Sequence, residues 1–226
     1  ASFSNATAYT IDYDGSSLGT NQWFKSFGTT ATPYTENTGT GSLTININSG
    51  KMGIGSSAMA LGKNTTLNIK NDSTLALTNS FTLGHTNATT ATQTVVNVEA
   101  GAAITSTTTS ADFSVGYRTG EGTMNVNGGN VTVDALESSQ FAMSVGYTNV
   151  TNSGGIGVGT MNVADGSTIT NAGRLAVGLV NENSGAWGSV SGTVGMNGGT
   201  WSNAGNVLLG MNNSTTTTTK PKGELD

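Results

Sequence analysis

The sequence predicts an all-β protein, a parallel β-helix (β-solenoid) with irregular loops from one corner, and three observations predict it. An apolar-x-apolar-Gly pattern returns at long, nearly regular steps. A second alternating apolar pair and a turn dipeptide return inside each step. The composition favours strands and turns: of 226 residues 33 are glycine, 35% are hydrophobic and only 9% are charged, with Thr, Ser, Asn and Ala making up most of the rest. Disordered chains carry high net charge and few branched apolar residues, and helical bundles need strong helix formers that are scarce here, so the composition reads as ordered β-structure.

Residues 1–40 fit the pattern poorly and hold Trp23, Phe24, Phe27 and Tyr34. A solenoid has to cover the open edge and apolar end of its first coil, so this segment reads as an N-terminal cap with early strands. The other use of such aromatics is a sugar-stacking or docking patch.

Residues 41–210 carry the repeats. The copies are Met59-Ala60-Leu61-Gly62, Phe81-Thr82-Leu83-Gly84, Phe113-Ser114-Val115-Gly116, Met143-Ser144-Val145-Gly146, Leu175-Ala176-Val177-Gly178 and Val207-Leu208-Leu209-Gly210, whose glycines stand 22, 32, 30, 32 and 32 residues apart. The second pair is Ile45/Ile47, Leu67/Ile69, Val96/Val98, Met124/Val126, Met161/Val163 and Val194/Met196. After it comes a corner, Ser49-Gly50, Asn71-Asp72, Ala100-Gly101, Gly128-Gly129, Asp165-Gly166 or Gly198-Gly199, where glycine supplies the positive φ of a sharp turn. A third apolar residue follows: Leu75, Ile104, Val131, Ile169 or Trp201. Alternation of period two buries one face of each stretch, and three such faces turned inward make one coil. Sandwiches and barrels also have short strands and Gly-rich turns, but they give no reason to reproduce one pattern at a fixed step. Stacked coils do, because equivalent side chains lie about 4.8 Å above one another.

Coils of different length stack only if the excess leaves the core. It falls mostly after the repeat glycine, at 85–94, 147–160, 179–193 and 211–224, with a further excess at 134–140. Loops from one corner align into a candidate binding surface, for which Tyr117, Tyr147 and Trp187 are the candidate contacts; the plainer use of such loops is to shield the core. Residues 211–226 read as a loop and the start of a further coil, since Gly223-Glu224-Leu225-Asp226 repeats the form of Gly122-Thr123-Met124-Asn125. A fragment of a longer solenoid, or an open coil covered by a neighbour, is the expectation.

The stretches Gly120-Glu121-Gly122-Thr123-Met124-Asn125-Val126-Asn127-Gly128-Gly129-Asn130-Val131-Thr132 and Gly157-Val158-Gly159-Thr160-Met161-Asn162-Val163-Ala164-Asp165-Gly166-Ser167-Thr168-Ile169-Thr170 resemble the β-strand repeats of bacterial autotransporter passenger regions and related large secreted adhesins. The likeness covers roughly residues 41–210. It implies a right-handed parallel β-helix displayed outside the cell in adhesion, aggregation or a surface coat, and it carries no catalytic residue. The translocating barrel of that family is not among these residues.

Several chemistries are disfavoured. The absence of cysteine excludes disulfides and thiolate metal sites. A net charge of −5 with only eight Lys and Arg provides no basic stripe for nucleic acid. No apolar run approaches the ~18 residues of a membrane-spanning helix, and the start at Ala1 fits a processed, exported chain. Gly15-Ser16-Ser17-Leu18-Gly19 has the nucleophile-elbow spacing but no helix or partner histidine beside it, since the one histidine, His85, opens a loop. Asp12-Tyr13-Asp14-Gly15 begins like a calcium loop and lacks the closing glutamate. The carboxylates Asp72, Glu99, Asp165 and Glu182 share no repeat position, as acid–base chemistry on a β-helix requires. Thr107 to Thr109 and Thr215 to Thr219 are runs rather than a recurring outward Thr-x-Thr ladder, which sets ice binding aside. The expectation is therefore a non-enzymatic, cofactor-free and metal-free structural or adhesive solenoid, extracellular or on the bacterial cell surface. Its expected partners are a second copy through the solenoid ends or a host or matrix glycan or protein. The alternatives are a self-assembling filament or surface-layer subunit, and a carbohydrate-binding module.

Overall fold

The computed structural model describes residues 2–3, 8–15, 22–24, 34–37, 41–54, 59–62, 64–84, 93–107, 113–118, 120–134, 141–148, 157–181, 190–213 and 220–226. All regular elements among them are strands. β1 (Ser2–Phe3) precedes a coil of β2 (Tyr9–Asp14), β3 (Gln22–Phe24) and β4 (Tyr34–Asn37). The next coils are β5 (Leu43–Ser49), β6 (Lys51–Ile54) and β7 (Met59–Leu61), then β8 (Thr65–Ile69), β9 (Thr74–Leu77) and β10 (Phe81–Leu83). There follow β11 (Gln93–Val98), β12 (Ala103–Ser106) and β13 (Phe113–Tyr117), then β14 (Glu121–Val126), β15 (Asn130–Val133) and β16 (Phe141–Thr148). The last coils are β17 (Val158–Ala164), β18 (Thr168–Asn171) and β19 (Arg174–Val180), then β20 (Ser191–Asn197), β21 (Thr200–Asn203) and β22 (Val207–Asn212). β23 (Lys222–Leu225) follows them.

Each coil contributes one strand to each of three parallel sheets. The first sheet runs β2-β5-β8-β11-β14-β17-β20-β23, the second β3-β6-β9-β12-β15-β18-β21, and the third β1-β4-β7-β10-β13-β16-β19-β22. Strands stacked in sequence order, every third one a neighbour, make a parallel β-solenoid. The described strands within residues 1–40 join the same architecture, because β2, β3 and β4 pair in parallel with β5, β6 and β7.

The register places each repeat copy on the next. Phe81 pairs with Met59 and with Phe113, Phe113 with Met143, Met143 with Leu175, and Leu175 with Val207. The variable repeat step is thus one coil each time, the difference in length being taken up between strands. The alternation in β14, where Gly122, Met124 and Val126 are buried and Glu121, Thr123 and Asn125 half-buried, is the period-two signature of a strand with one face on a core. Inside, the columns are aliphatic and aromatic: Ile45, Leu67, Val96, Met124 and Met161 form one, and Phe81 and Phe113 stack at 5.1 Å in another. Buried hydroxyls in the corners bond to neighbouring backbone, Ser167 Oγ donating to the Val126 carbonyl at 2.7 Å and accepting from the Gly128 N–H at 2.8 Å.

Two kinds of corner use glycine for different reasons. Between the first and second sheets Gly50, Gly101, Gly128, Gly166 and Gly198 take positive φ, and Asn71 and Asp72 fill the equivalent place at φ 31° and 55°, residue types that tolerate the left-handed region. In the last residues of the third-sheet strands or just past them, Gly84, Gly116, Gly146, Gly178 and Gly210 take φ between 60° and 76°; Gly62, the first of the repeat glycines, does not. Here space is also decisive: a Cβ on Gly146 would lie 2.0 Å from the Ser191 carbonyl oxygen. Its counterpart is a second glycine column, Gly122, Gly159, Gly192 and Gly223, where a Cβ on Gly159 would lie 2.2 Å from the Gly146 nitrogen. The third sheet turns into the first through a crossing that only two glycines can occupy.

The two corners predict different costs. Gly166→Ala, with nothing nearer its Cβ than 3.7 Å, pays only for the left-handed backbone, about 1 kcal/mol. Gly146→Ala adds a backbone collision and is expected to lose more than ~3 kcal/mol. Urea unfolding followed by circular dichroism checks the order, and equal midpoints for the two variants would contradict the crossing.

Candidate functional site

The first sheet's outer face carries a continuous polar column. Residues between the inward pairs stack there in register: Asp12, Asn46, Asn68, Asn97, Asn125, Asn162 and then Gly195. The amides hydrogen-bond to one another. Asn162 Nδ2 donates to Asn125 Oδ1 at 2.8 Å, Asn125 to Asn97 at 2.9 Å, Asn97 to Asn68 at 2.8 Å, and Asn68 to Asn46 at 2.8 Å. Asn46 Nδ2 then donates to the Asp12 carboxylate at 2.8 Å. The fold makes this possible because strands ~4.8 Å apart put each amide within reach of the next, and asparagine is both donor and acceptor. Every amide donates toward the N-terminal coil, so the dipoles align and polarise one another. The donor end of the chain meets a carboxylate, giving a charge-assisted bond.

Beside this ladder runs a second column, Thr10, Thr44, Thr66, Val95, Thr123, Thr160, Thr193 and Glu224. The outward threonine ladder that the threonine runs do not supply is therefore present elsewhere, as Thr-x-Asn rather than Thr-x-Thr. The signal was in the sequence: the middle residue of Ile45-Asn46-Ile47, Leu67-Asn68-Ile69, Val96-Asn97-Val98, Met124-Asn125-Val126 and Met161-Asn162-Val163 is asparagine each time.

Other candidates fare differently. Tyr117 and Tyr147 are each only 6% exposed, with their rings 5.4 Å apart. Tyr117, Tyr147, Leu179 and Met211 share a register column and pack in a small cluster separate from the main core, and Arg118 lies 5.0 Å over the Tyr117 ring. These tyrosines are packed away rather than offered to a ligand. Trp187, His85, Glu182 and residues 16–19 lie outside the described residues. Asp12 and Asp14 sit on β2, a strand rather than a calcium loop, and are engaged by Asn46 and by Ser49 Oγ respectively. Tyr13, between them, points inward and donates to the Lys51 carbonyl at 2.9 Å, and burial raises its phenol above the ordinary 10.0, keeping the donor protonated. Among the described residues no three His, Cys, Asp or Glu side chains stand together as a metal site would need, and no helix is long and apolar enough to cross a membrane.

A third feature is the C-terminal end of the stack. Val207, Leu209, Leu225 and Met196 are 43%, 49%, 49% and 37% exposed, although their partners one coil earlier, Leu175, Val177, Val194 and Val163, are 3% exposed or less. Trp201 stacks on Ile169 and packs against the core, yet its buried indole N–H has no hydrogen-bond partner. The chain matches no family model, no curated protein and no solved structure.

Asn97 is the middle of the ladder and its best test. Asn97→Ala removes two hydrogen bonds of ~0.5–1.5 kcal/mol each, for an expected loss of about 1–3 kcal/mol. Asn97→Asp keeps the acceptor for Asn125 but sets a carboxylate against Asn68 Oδ1, and protonation near pH 4 restores a donor. Its deficit relative to the parent chain is therefore expected to shrink between pH 7 and pH 3.5 in urea titrations. A deficit independent of pH would contradict the ladder.

Proposed function

We propose that this chain is an extracellular structural or adhesive β-solenoid, a stiff rod that holds its loops away from a cell surface. One observation carries the reading: successive coils each add one parallel strand, in sequence order, to all three sheets. Several polar side chains serve the stack. Asparagines tie coil to coil, buried serines bond to corner carbonyls, and Asp12 ends the ladder. Such an object resists bending and presents whatever leaves its corners. The resemblance of the Gly-Thr-Met-Asn-Val stretches to secreted adhesin repeats supports the same compartment and role.

A second reading, a filament or surface-layer subunit that stacks end to end, rests on the parallel, in-order stacking of the strands in all three sheets. Unpaired edges of parallel strands accept a further parallel strand, and a second copy would supply one. The carbohydrate-binding reading is weaker, because Tyr117 and Tyr147 are packed against each other.

Electron microscopy across a concentration series separates the first two. The displayed-rod reading expects isolated short rods at every concentration. It also expects that shortening residues 149–156 and 182–189 abolishes adherence to cells or matrix while the β-sheet circular dichroism is unchanged. Fibres that lengthen with concentration, and that Leu209→Lys prevents, would replace it with the stacking reading.

A further inference from the structure

The asparagine ladder stops one rung early. At Gly195 the column has no side chain, and a Cβ built there would meet only Asn162 Oδ1, at 3.5 Å. That oxygen is the acceptor left over when Asn162 donates its amide to Asn125. On the far side of the gap stands Asp226: its N–H donates to the Val194 carbonyl at 2.9 Å and its carbonyl accepts from the Met196 N–H at 2.8 Å, which sets it in the same column one coil beyond Gly195. Asn127, Asn162, Gly195, Asn197 and Asp226 line a cavity of about 430 Å³ over this gap.

The ladder's polarity decides what fits. Asn162 and Asp226 stand in one column two coil spacings apart, roughly 10 Å between equivalent backbone positions, and both side chains offer oxygen acceptors, so an occupant that bridges them has to donate in both directions. An amide continuing the ladder would donate to Asn162 and turn its oxygen on the Asp226 carboxylate. An ammonium is compact and reaches one side at a time. A guanidinium is planar, carries five donors and no acceptor, and pairs with a carboxylate through two parallel hydrogen bonds. Hydrogen bonds of ~2.9 Å on both edges let it span the gap. Among the lining residues Asp226 supplies a negative charge and none supplies a positive one.

We infer that the gap at Gly195 is a guanidinium-binding site, and that the ligand it takes is an arginine side chain docked between Asn162 Oδ1 and the Asp226 carboxylate. The site is independent of whether the solenoid is an adhesin or a filament subunit.

The test uses the full chain, isotopically labelled, with N-acetyl-argininamide as probe and the Gly195 backbone and Asn162 side-chain amide resonances as readout. Saturable shifts at both are expected, at least tenfold weaker with N-acetyl-lysinamide and absent with the citrulline analogue, which has the same shape without the charge. Asp226→Asn and Gly195→Asn are each expected to weaken binding at least tenfold with the other strand resonances unmoved. The Asp226 variant alters an exposed side chain, so its folding is not at risk. A Gly-Arg-Gly peptide that binds tighter than guanidinium chloride marks a protein side chain as the source, and equal binding marks the bare group. No saturable shift at Gly195 and Asn162, equal shifts with the citrulline analogue, or unchanged affinity in both variants overturns the site.

Discussion

In a parallel stack each side chain lies about 4.8 Å from its equivalent in the coil above and the coil below, so every outward column must tolerate its own kind. Like charges facing each other across a sheet are destabilising, and this one constraint accounts for much of the composition. Charged residues are few, and two outward columns of the first sheet are mostly Asn and Thr, which can pair with themselves. Asparagine is the fullest answer because its amide donates on one side and accepts on the other. Aspartate, an acceptor only, is found where the column ends at Asp12 and again past its gap at Asp226.

The same constraint shapes the inside. Apolar columns have no polarity to conflict, so Ile45, Leu67, Val96 and Met124 can differ in shape while keeping one line. Backbone is what the interior cannot accommodate freely: at the turn from the third sheet into the first, two chain segments pass so closely that Gly116, Gly146 and Gly178 meet Gly122, Gly159, Gly192 and Gly223. Register, core and corner are one device. Losing a glycine at the crossing would shift a strand and with it the columns on both faces.

In a regular stack the outward columns repeat from coil to coil, so an irregularity in a column is one place where a site can form. One lies in the first sheet, where the asparagine column is interrupted at Gly195. The regular faces support a structural role, and the interruptions are where specific recognition has room.

Much of the fold was legible in the sequence because its period is long and its marks are distinct. Met59, Phe81, Phe113, Met143, Leu175 and Val207 could be aligned by their glycines, and the alignment is the observed register. Glycine at positive φ and apolar alternation are local properties, written residue by residue. The fate of outward residues is not local. Whether Asn97 meets another asparagine, or Tyr117 meets Tyr147 instead of a ligand, depends on which residues lie one coil away, some 30 positions along the chain. The sequence by itself determined strands, corners and the coil; only the tertiary structure decided the direction of the amide ladder, its ending on Asp12 and its gap at Gly195, because hydrogen-bond polarity exists only once the coils are stacked.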